Sequence, residues 1–259
     1  MGRTIAPVWL AAAIAVAALA VWVQSPLGAR AAPTPIPGAE TRLPLDRSPE
    51  GAWHALRLPE HAIQQGHLVA LVRGGVALRA RPFGPIVERL PARTPFGSPQ
   101  ALSVVRTRHG RWLAVTTPDL GNGAVGWIDA RAGGLSYART RLAVEIDLSQ
   151  RTLVLRSGRR VLRRASVGVG RPGSPTPTGR FAVTDKLDGA AYSPVYGCCI
   201  LALSAHQTNL PAGWHGGSRI AIHGGGLGAV SAGCVHTADA DLRFLMRRVP
   251  LGTPVTIHA

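Results

Sequence analysis

Val230–His236, VSAGCVH, places one of three cysteines directly after a glycine and two residues before a histidine. A cysteine there is either a reactive thiol or a small buried side chain. An ordinary thiol, with a pKa of about 8.5, is only a few per cent ionised at neutral pH, so a reactive one needs a base within reach. His236 is one candidate, because positions 234 and 236 of an extended segment face the same side. His223 is the other. It ends the apolar run Ile220-Ala221-Ile222, and Gly225, Gly226 and Gly228 leave the next loop free to fold that strand end back onto Cys234. Gly233 permits the tight turn that presents a thiol together with backbone N–H groups aimed at an oxyanion.

The flanking segments set the fold class. In TADADLRFLMRRV, Leu242, Leu245, Met246 and Val249 recur at helical spacing. Thr237 is placed to cap that helix, and its end charges (Asp239 and Asp241, then Arg247 and Arg248) complement the macrodipole. A positive helix end just after Cys234 would favour thiolate. Upstream, Leu142, Val144, Ile146 and Leu148 alternate as in a half-buried strand. Turns at Ser149-Gln150-Arg151 and Ser157-Gly158 then make a meander. GTPVTIHA reads as a last strand. Residues 139–259 are therefore expected to be mainly β, with one helix after the cysteine.

The preceding half has its own pattern. From residue 66 to 135 short apolar runs (HLVALV, GVALRARP, RWLAVTT, AVGWIDA) are separated by Gly, Pro and Asn-Gly signals, as in a small barrel. Trp112 and Trp127 are expected in its core. Residues 32–65 begin with the Pro-rich APTPIPGAETRLPLDRSPE and read as a linker. Residues 1–31 combine Arg3, an apolar run from Ile5 to Val23, and Ala29 and Ala31 at the spacing of a cleavage site. They are a signal peptide or, if retained, a membrane anchor. Either assignment exports the body to the periplasm or cell wall. In an exported chain an odd cysteine count leaves at least one free thiol. Adjacent Cys198 and Cys199 read as small buried side chains, which leaves Cys234 as the thiol with a purpose.

The formal net charge is +16, nearly all of it arginine, with Lys186 the only lysine. Such an excess attracts polyanions, with anionic cell-wall polymers and lipid headgroups as candidates. No nucleic-acid recognition motif accompanies it, so nucleic acid is not expected as a partner. His223, Cys234 and His236 could in principle ligate zinc, but their separations match no common zinc pattern. The expectation is no metal and no cofactor.

Taken together, TPTGRF at 176–181, IHG at 222–224 and SAGCVH at 231–236, with the D-x-x-x-L helix that follows, resemble the L,D-transpeptidase (YkuD) catalytic domain. The resemblance covers residues 139–259. It implies a β-sandwich with Cys234 as nucleophile, His223 as general base, and Gly233 and Ser231 in the turn around the oxyanion. Tyr196 and Gly224 would line the substrate groove. It further implies a peptidoglycan enzyme that releases D-alanine from a stem tetrapeptide and forms a 3→3 cross-link. An impaired wall-binding protein and an L,D-carboxypeptidase on the same stem are the alternatives. Leu78-Arg79-Ala80-Arg81-Pro82 and Gly126-Trp127-Ile128 resemble the opening and closing elements of a bacterial SH3-like domain. The chain departs from the L,D-transpeptidase pattern at Ala232, where that family has histidine, and at His236, where it has Arg or Asn. The loop from His223 to Ser231 is also short. Loss of the motif histidine removes a backbone-orienting or oxyanion group, and His236 is the candidate to replace part of that role.

Overall fold

The computed structural model describes residues 66–259. The signal or anchor at 1–31 and the linker at 32–65 lie outside the described residues. Among the described residues no helix is long and apolar enough to cross a membrane.

The first sheet is built from β1 (His67–Val72), β2 (Val76–Arg79), β3 (Ile86–Leu90), β4 (Ala101–Arg108), β5 (Trp112–Thr116), β6 (Gly126–Asp129) and β7 (Leu135–Thr140). Its order is β3-β2-β6-β5-β4-β1-β7. No ladder among the described residues joins β3 to β7, so the sheet is open where a barrel would close. Ala70, Val76, Leu78, Leu102, Val115 and Ile128 form its core. Trp112 and Trp127 are buried, as their apolar settings require.

The second sheet is mainly antiparallel and follows without a break. It comprises β8 (Leu142–Asp147), β9 (Thr152–Ser157), β10 (Arg160–Ser166), β11 (Gly168–Gly170), β12 (Gly179–Asp188), β13 (Cys199–His206), β14 (Arg219–His223), β15 (Gly228–Ser231), β16 (Val235–His236) and β17 (Pro254–His258). The strand order is β10-β9-β8-β17-β12-β13-β14-β16-β11-β15. Strand β12 joins the two halves: Gly179–Ala182 pair with β17, and Val183–Asp188 pair with β13. Both halves then contribute to one core. Val144, Ile146, Leu153 and Leu155 meet Leu201, Leu203, Ile220, Ile222 and Val235 there.

The one α-helix of this region, α1 (Asp239–Arg248), lays Leu242, Leu245 and the following Val249 into that core, all fully buried. Each such side chain contributes about 1.5–3 kcal/mol relative to exposure. The expectation that Thr237 caps α1 fails. Ala238 occupies the N-cap without a side-chain bond, and the Thr237 hydroxyl donates instead to the Ser166 carbonyl. A buried hydroxyl takes the acceptor that packing brings to it.

Alternation sorts the strands around the cysteine into two faces. Leu201, Leu203, Ile220 and Ile222 point into the core. Asp185, Ala202, Arg219, Ala221 and His223 occupy the other face. Part of that second face is covered by the first sheet. The Thr94 hydroxyl donates to fully buried Asp185. Arg219 forms an ion pair with Asp185 at 3.7 Å, donates to the Thr184 hydroxyl at 2.6 Å and to the Leu203 carbonyl at 2.9 Å, and lies under the Phe96 ring. Asn122 forms a two-way pair with the His206 backbone, and the His206 ring bonds the Pro118 carbonyl and Ser218.

Removing one partner of a buried ion pair leaves the other charge uncompensated, at a typical cost of about 3–5 kcal/mol. Asp185→Ala is therefore expected to lower unfolding free energy by about that amount in urea titration. Removing the exposed-side pair with Glu145→Ala, which faces Arg156, should change it by less than about 1 kcal/mol.

Candidate active site

Strands β14 and β16 run parallel, with Ile222 beside Val235 and His223 beside His236. One step earlier, Cys234 comes beside Ala221, and a backbone hydrogen bond from Ala221 reaches its thiol. Ala221, His223, Cys234 and His236 thus share one face. Strand spacing and rise put Cys234 about 8 Å from His223 between Cα atoms, on the diagonal of the ladder, and Ala221 beside Cys234 adds only a methyl group to that face.

The His223 ring is buried between Tyr196, edge-on at 4.8 Å, and His236, tilted at 4.6 Å. Its Nδ1 lies 2.6 Å from the Gly224 carbonyl. An N–H must donate in that contact, so the neutral ring carries its proton on Nδ1 and leaves the Nε2 lone pair free. Burial holds the ring well below its usual value, to about 4, against the Gly224 bond, which raises it; the neighbouring His236 adds to the lowering. Burial pushes the Cys234 thiol up, and the Ala221 bond offsets only part of this. The helix end does not lower it, since α1 begins only at Asp239. The resting pair is therefore neutral thiol and neutral imidazole. The thiol donates weakly to the Arg219 carbonyl, 4.0 Å away, and no hydrogen bond joins it to either imidazole among the described residues.

The turn before the cysteine is tied on every side. Ser231 is buried, accepts from the Gly233 amide at 3.0 Å and donates to the Cys234 carbonyl at 2.6 Å. Its own carbonyl accepts from the Arg171 amide. Gly233 has φ 123°, and a β-carbon there would meet the Gln207 amide nitrogen at 2.2 Å. The Gly233 N–H is committed to Ser231, so it does not face the thiol's surroundings as the sequence led us to expect. His236 Nδ1 is 3.0 Å from the Gly226 carbonyl, which fixes the ring against His223 rather than against α1. Gly224 lies so close to the Tyr196–Gly197 backbone that a β-carbon would meet Gly197 Cα at 2.9 Å. Its amide donates to the Tyr196 carbonyl. Tyr196 and Gly224 are thus brought beside His223.

The expectation that Cys198 and Cys199 are simply small buried side chains is corrected: they are disulfide-bonded to one another, Cys198 is only partly buried, and Cys234 is the free cysteine. Thr176 of TPTGRF is structural: its hydroxyl accepts from the Gly170 amide, while Phe181 enters the core. Sequence reasoning missed Gln207, Arg219, Asp185 and the Cys198–Asp239 contact, in which Asp239 accepts from the Cys198 amide at 3.3 Å. Gln207 lies in the polar stretch SAHQTN and Arg219 at the very start of β14 after Gly-Gly-Ser, so no local pattern singled them out. Among the described residues no group of three or more His, Cys, Asp or Glu is arranged to hold a metal ion.

A free thiol and an imidazole on one sheet face, beside a turn of fixed peptide units, equip a protein for cysteine acyl transfer. Residues 141–257 match the family model YkuD, the L,D-transpeptidase catalytic domain. The chain is 31% identical over 115 residues to YkuD of Bacillus subtilis (strain 168), which carries an L,D-transpeptidase name. That alignment takes in 44% of this chain, and the chain spans 65% of the relative's length. Similar solved structures include an L,D-transpeptidase from Mycobacterium smegmatis, at 18% identity and TM-score 0.38 over 61% of this chain and 82% of that one. Another is an L,D-transpeptidase from Mycobacterium tuberculosis H37Rv, at 20% identity and TM-score 0.38 over 54% and 74%. Residues 141–257, a little under half of the chain, are thus similar to the L,D-transpeptidase catalytic domain.

The neutral pair has a pH signature. Alkylation of Cys234 by iodoacetamide should keep rising through pH 9, with no plateau near neutrality, and the His223 ring should not titrate by NMR above about pH 5. The unfolded chain binds a proton at His223 below about pH 6.5 and the folded one only near 4, so stability should fall across that window, by up to about 3 kcal/mol. Denaturant midpoints for wild type and His223→Gln between pH 4 and 7 check the sign. Gly233→Ala should abolish turnover, because the new β-carbon and the Gln207 amide cannot both be accommodated.

Proposed function

We propose that the protein is a peptidoglycan L,D-transpeptidase that acts outside the cytoplasm. Cys234 is the nucleophile and His223 the general base. The observation that carries this reading is the β14–β16 register, which sets both side chains on one face while His223 keeps its Nε2 lone pair free.

Sγ attacks the carbonyl at the L-centre of diaminopimelate in a stem tetrapeptide. The thiol proton passes to Nε2 of His223 as the S–C bond forms. The C–N bond to D-alanine then breaks, and the imidazolium returns the proton to the departing amine. An amine of a second stem attacks the thioester, loses its proton to His223, and releases Sγ with the new 3→3 amide. A thiol held above its ordinary range facing an imidazole held at about 4 disfavours a free ion pair. Proton transfer therefore goes with bond formation and awaits substrate. The Cys234 N–H, between two fixed peptide units, is the candidate oxyanion donor. Tyr196 and Gly224 line the groove beside His223.

The first sheet is read as an SH3-like module that contacts wall peptides, and the net positive charge as affinity for anionic wall polymers. The N-terminal segment exports the chain and, if retained, anchors it in the cytoplasmic membrane.

Incubation with purified tetrapeptide should release D-alanine and yield cross-linked dimer by mass spectrometry. Cys234→Ala should lose both products, and His223→Gln should slow them by about 10²–10⁴-fold. A carbapenem should add one mass increment to wild type and none to Cys234→Ala. Products unchanged in Cys234→Ala would refute the assignment.

A further inference from the structure

Gln207 follows β13 and is buried, 27 residues from Cys234 in sequence. Every polar valence of its side-chain amide that the structure records serves the backbone. Nε2 donates to the Pro175 carbonyl at 3.0 Å and to the Ala232 carbonyl at 3.0 Å. Oε1 accepts from the Asn209 amide at 2.9 Å. The Gln207 backbone amide is itself tied to the Ser218 carbonyl at 2.7 Å.

These bonds bear on one peptide unit. The Ala232 carbonyl points to Gln207, and the N–H of the same unit, on Gly233, points the opposite way to Ser231 Oγ. The unit after the nucleophile is held by the bond from Ser231 Oγ to the Cys234 carbonyl. The Gly233–Cys234 unit lies between these two fixed planes, and its N–H belongs to the nucleophile. Ala232 has no side chain that could orient this turn. Gly233 is required because the Gln207 amide fills the space of a β-carbon.

We propose that Gln207 is a positioning residue for acyl transfer: by clamping the Ala232 carbonyl it aims the Cys234 N–H at the oxyanion that forms on the attacked carbonyl. This rests on the acyl-transfer reading of Cys234. Gln207 touches neither substrate nor thiol and acts through the turn.

Two reactions of the same sulfur separate this role from simple support. Acylation by tetrapeptide or carbapenem passes through a tetrahedral oxyanion; alkylation by iodoacetamide does not. In the full-length protein, Gln207→Leu and Gln207→Met keep the bulk and remove the donors. Either variant should slow acylation about ten- to hundredfold, below or near the loss on deleting a donor outright, while alkylation stays within about twofold of wild type. For tetrapeptide turnover the loss should fall on kcat rather than KM. Equal slowing of acylation and alkylation would overturn the proposal in favour of a structural role, and so would unchanged acylation. A wild type that alkylates at Cys234 yet forms no acyl adduct would remove the acyl-transfer reading itself, and this inference with it.

Discussion

The parallel pairing of β14 with β16 is the constraint on which the site depends. Parallel strands need a crossover, and here it is only the glycine-rich loop after His223 together with β15. Such a short return is possible because the loop's glycines let the chain pass close to its neighbours. A β-carbon at Gly225 would meet the His236 ring, and one at Gly224 the Gly197 backbone. Slipping this ladder by one residue would send the cysteine or the histidine into the apolar core. The hydrophobic preference of Ile220, Ile222 and Val235 for that core is therefore what fixes the two polar side chains on the opposite face.

Burial on that face has a chemical consequence. Desolvation disfavours the imidazolium and the thiolate alike, so it works against spontaneous ionisation. The bond between His223 Nδ1 and the Gly224 carbonyl selects the tautomer that can accept a proton at Nε2. The site is thus prepared as a neutral donor–acceptor pair. On the proposed acyl-transfer reading, charge would develop only when an acyl carbon is present to receive the sulfur and an N–H to receive the oxyanion. A thiol kept protonated at rest is also less exposed to oxidation, since the thiolate is the reactive form.

Much of this was legible in the sequence. The alternation at Leu142–Leu148 and the spacing at Leu242–Val249 report local periods, and they led correctly to β8 and α1. Gly224 and Gly233 of the motifs sit where a β-carbon would meet Gly197 or the Gln207 amide, a local demand for glycine that the sequence displays. What stayed hidden depends on partners far apart in the chain. Thr94 meets Asp185 across 91 residues, and Asn122 meets His206 across 84. Neither pair has a spacing to read. Thr237 was misread because capping is a local rule, and a tertiary acceptor, the Ser166 carbonyl, overrode it. Closure of the first sheet turns on whether β3 and β7 pair, and short strand signals carry no information about that.

The Asp185–Arg219 pair shows how distant contacts reach the chemistry. A buried ion pair is seldom more stabilising than apolar residues of equal volume, because desolvating two charges costs as much as their attraction returns. Its value here is positional. Arg219 opens β14, and its carbonyl is the thiol's recorded acceptor. Its side chain is gripped by Thr184, Asp185 and Leu203 and covered by Phe96, so this end of the strand has little freedom. At the other end His223 is held between two rings. A strand pinned at both ends keeps Ala221 and its neighbour Cys234 at a fixed height above the core. The β3–β4 loop, through Thr94 and Phe96, therefore takes part in placing the sulfur.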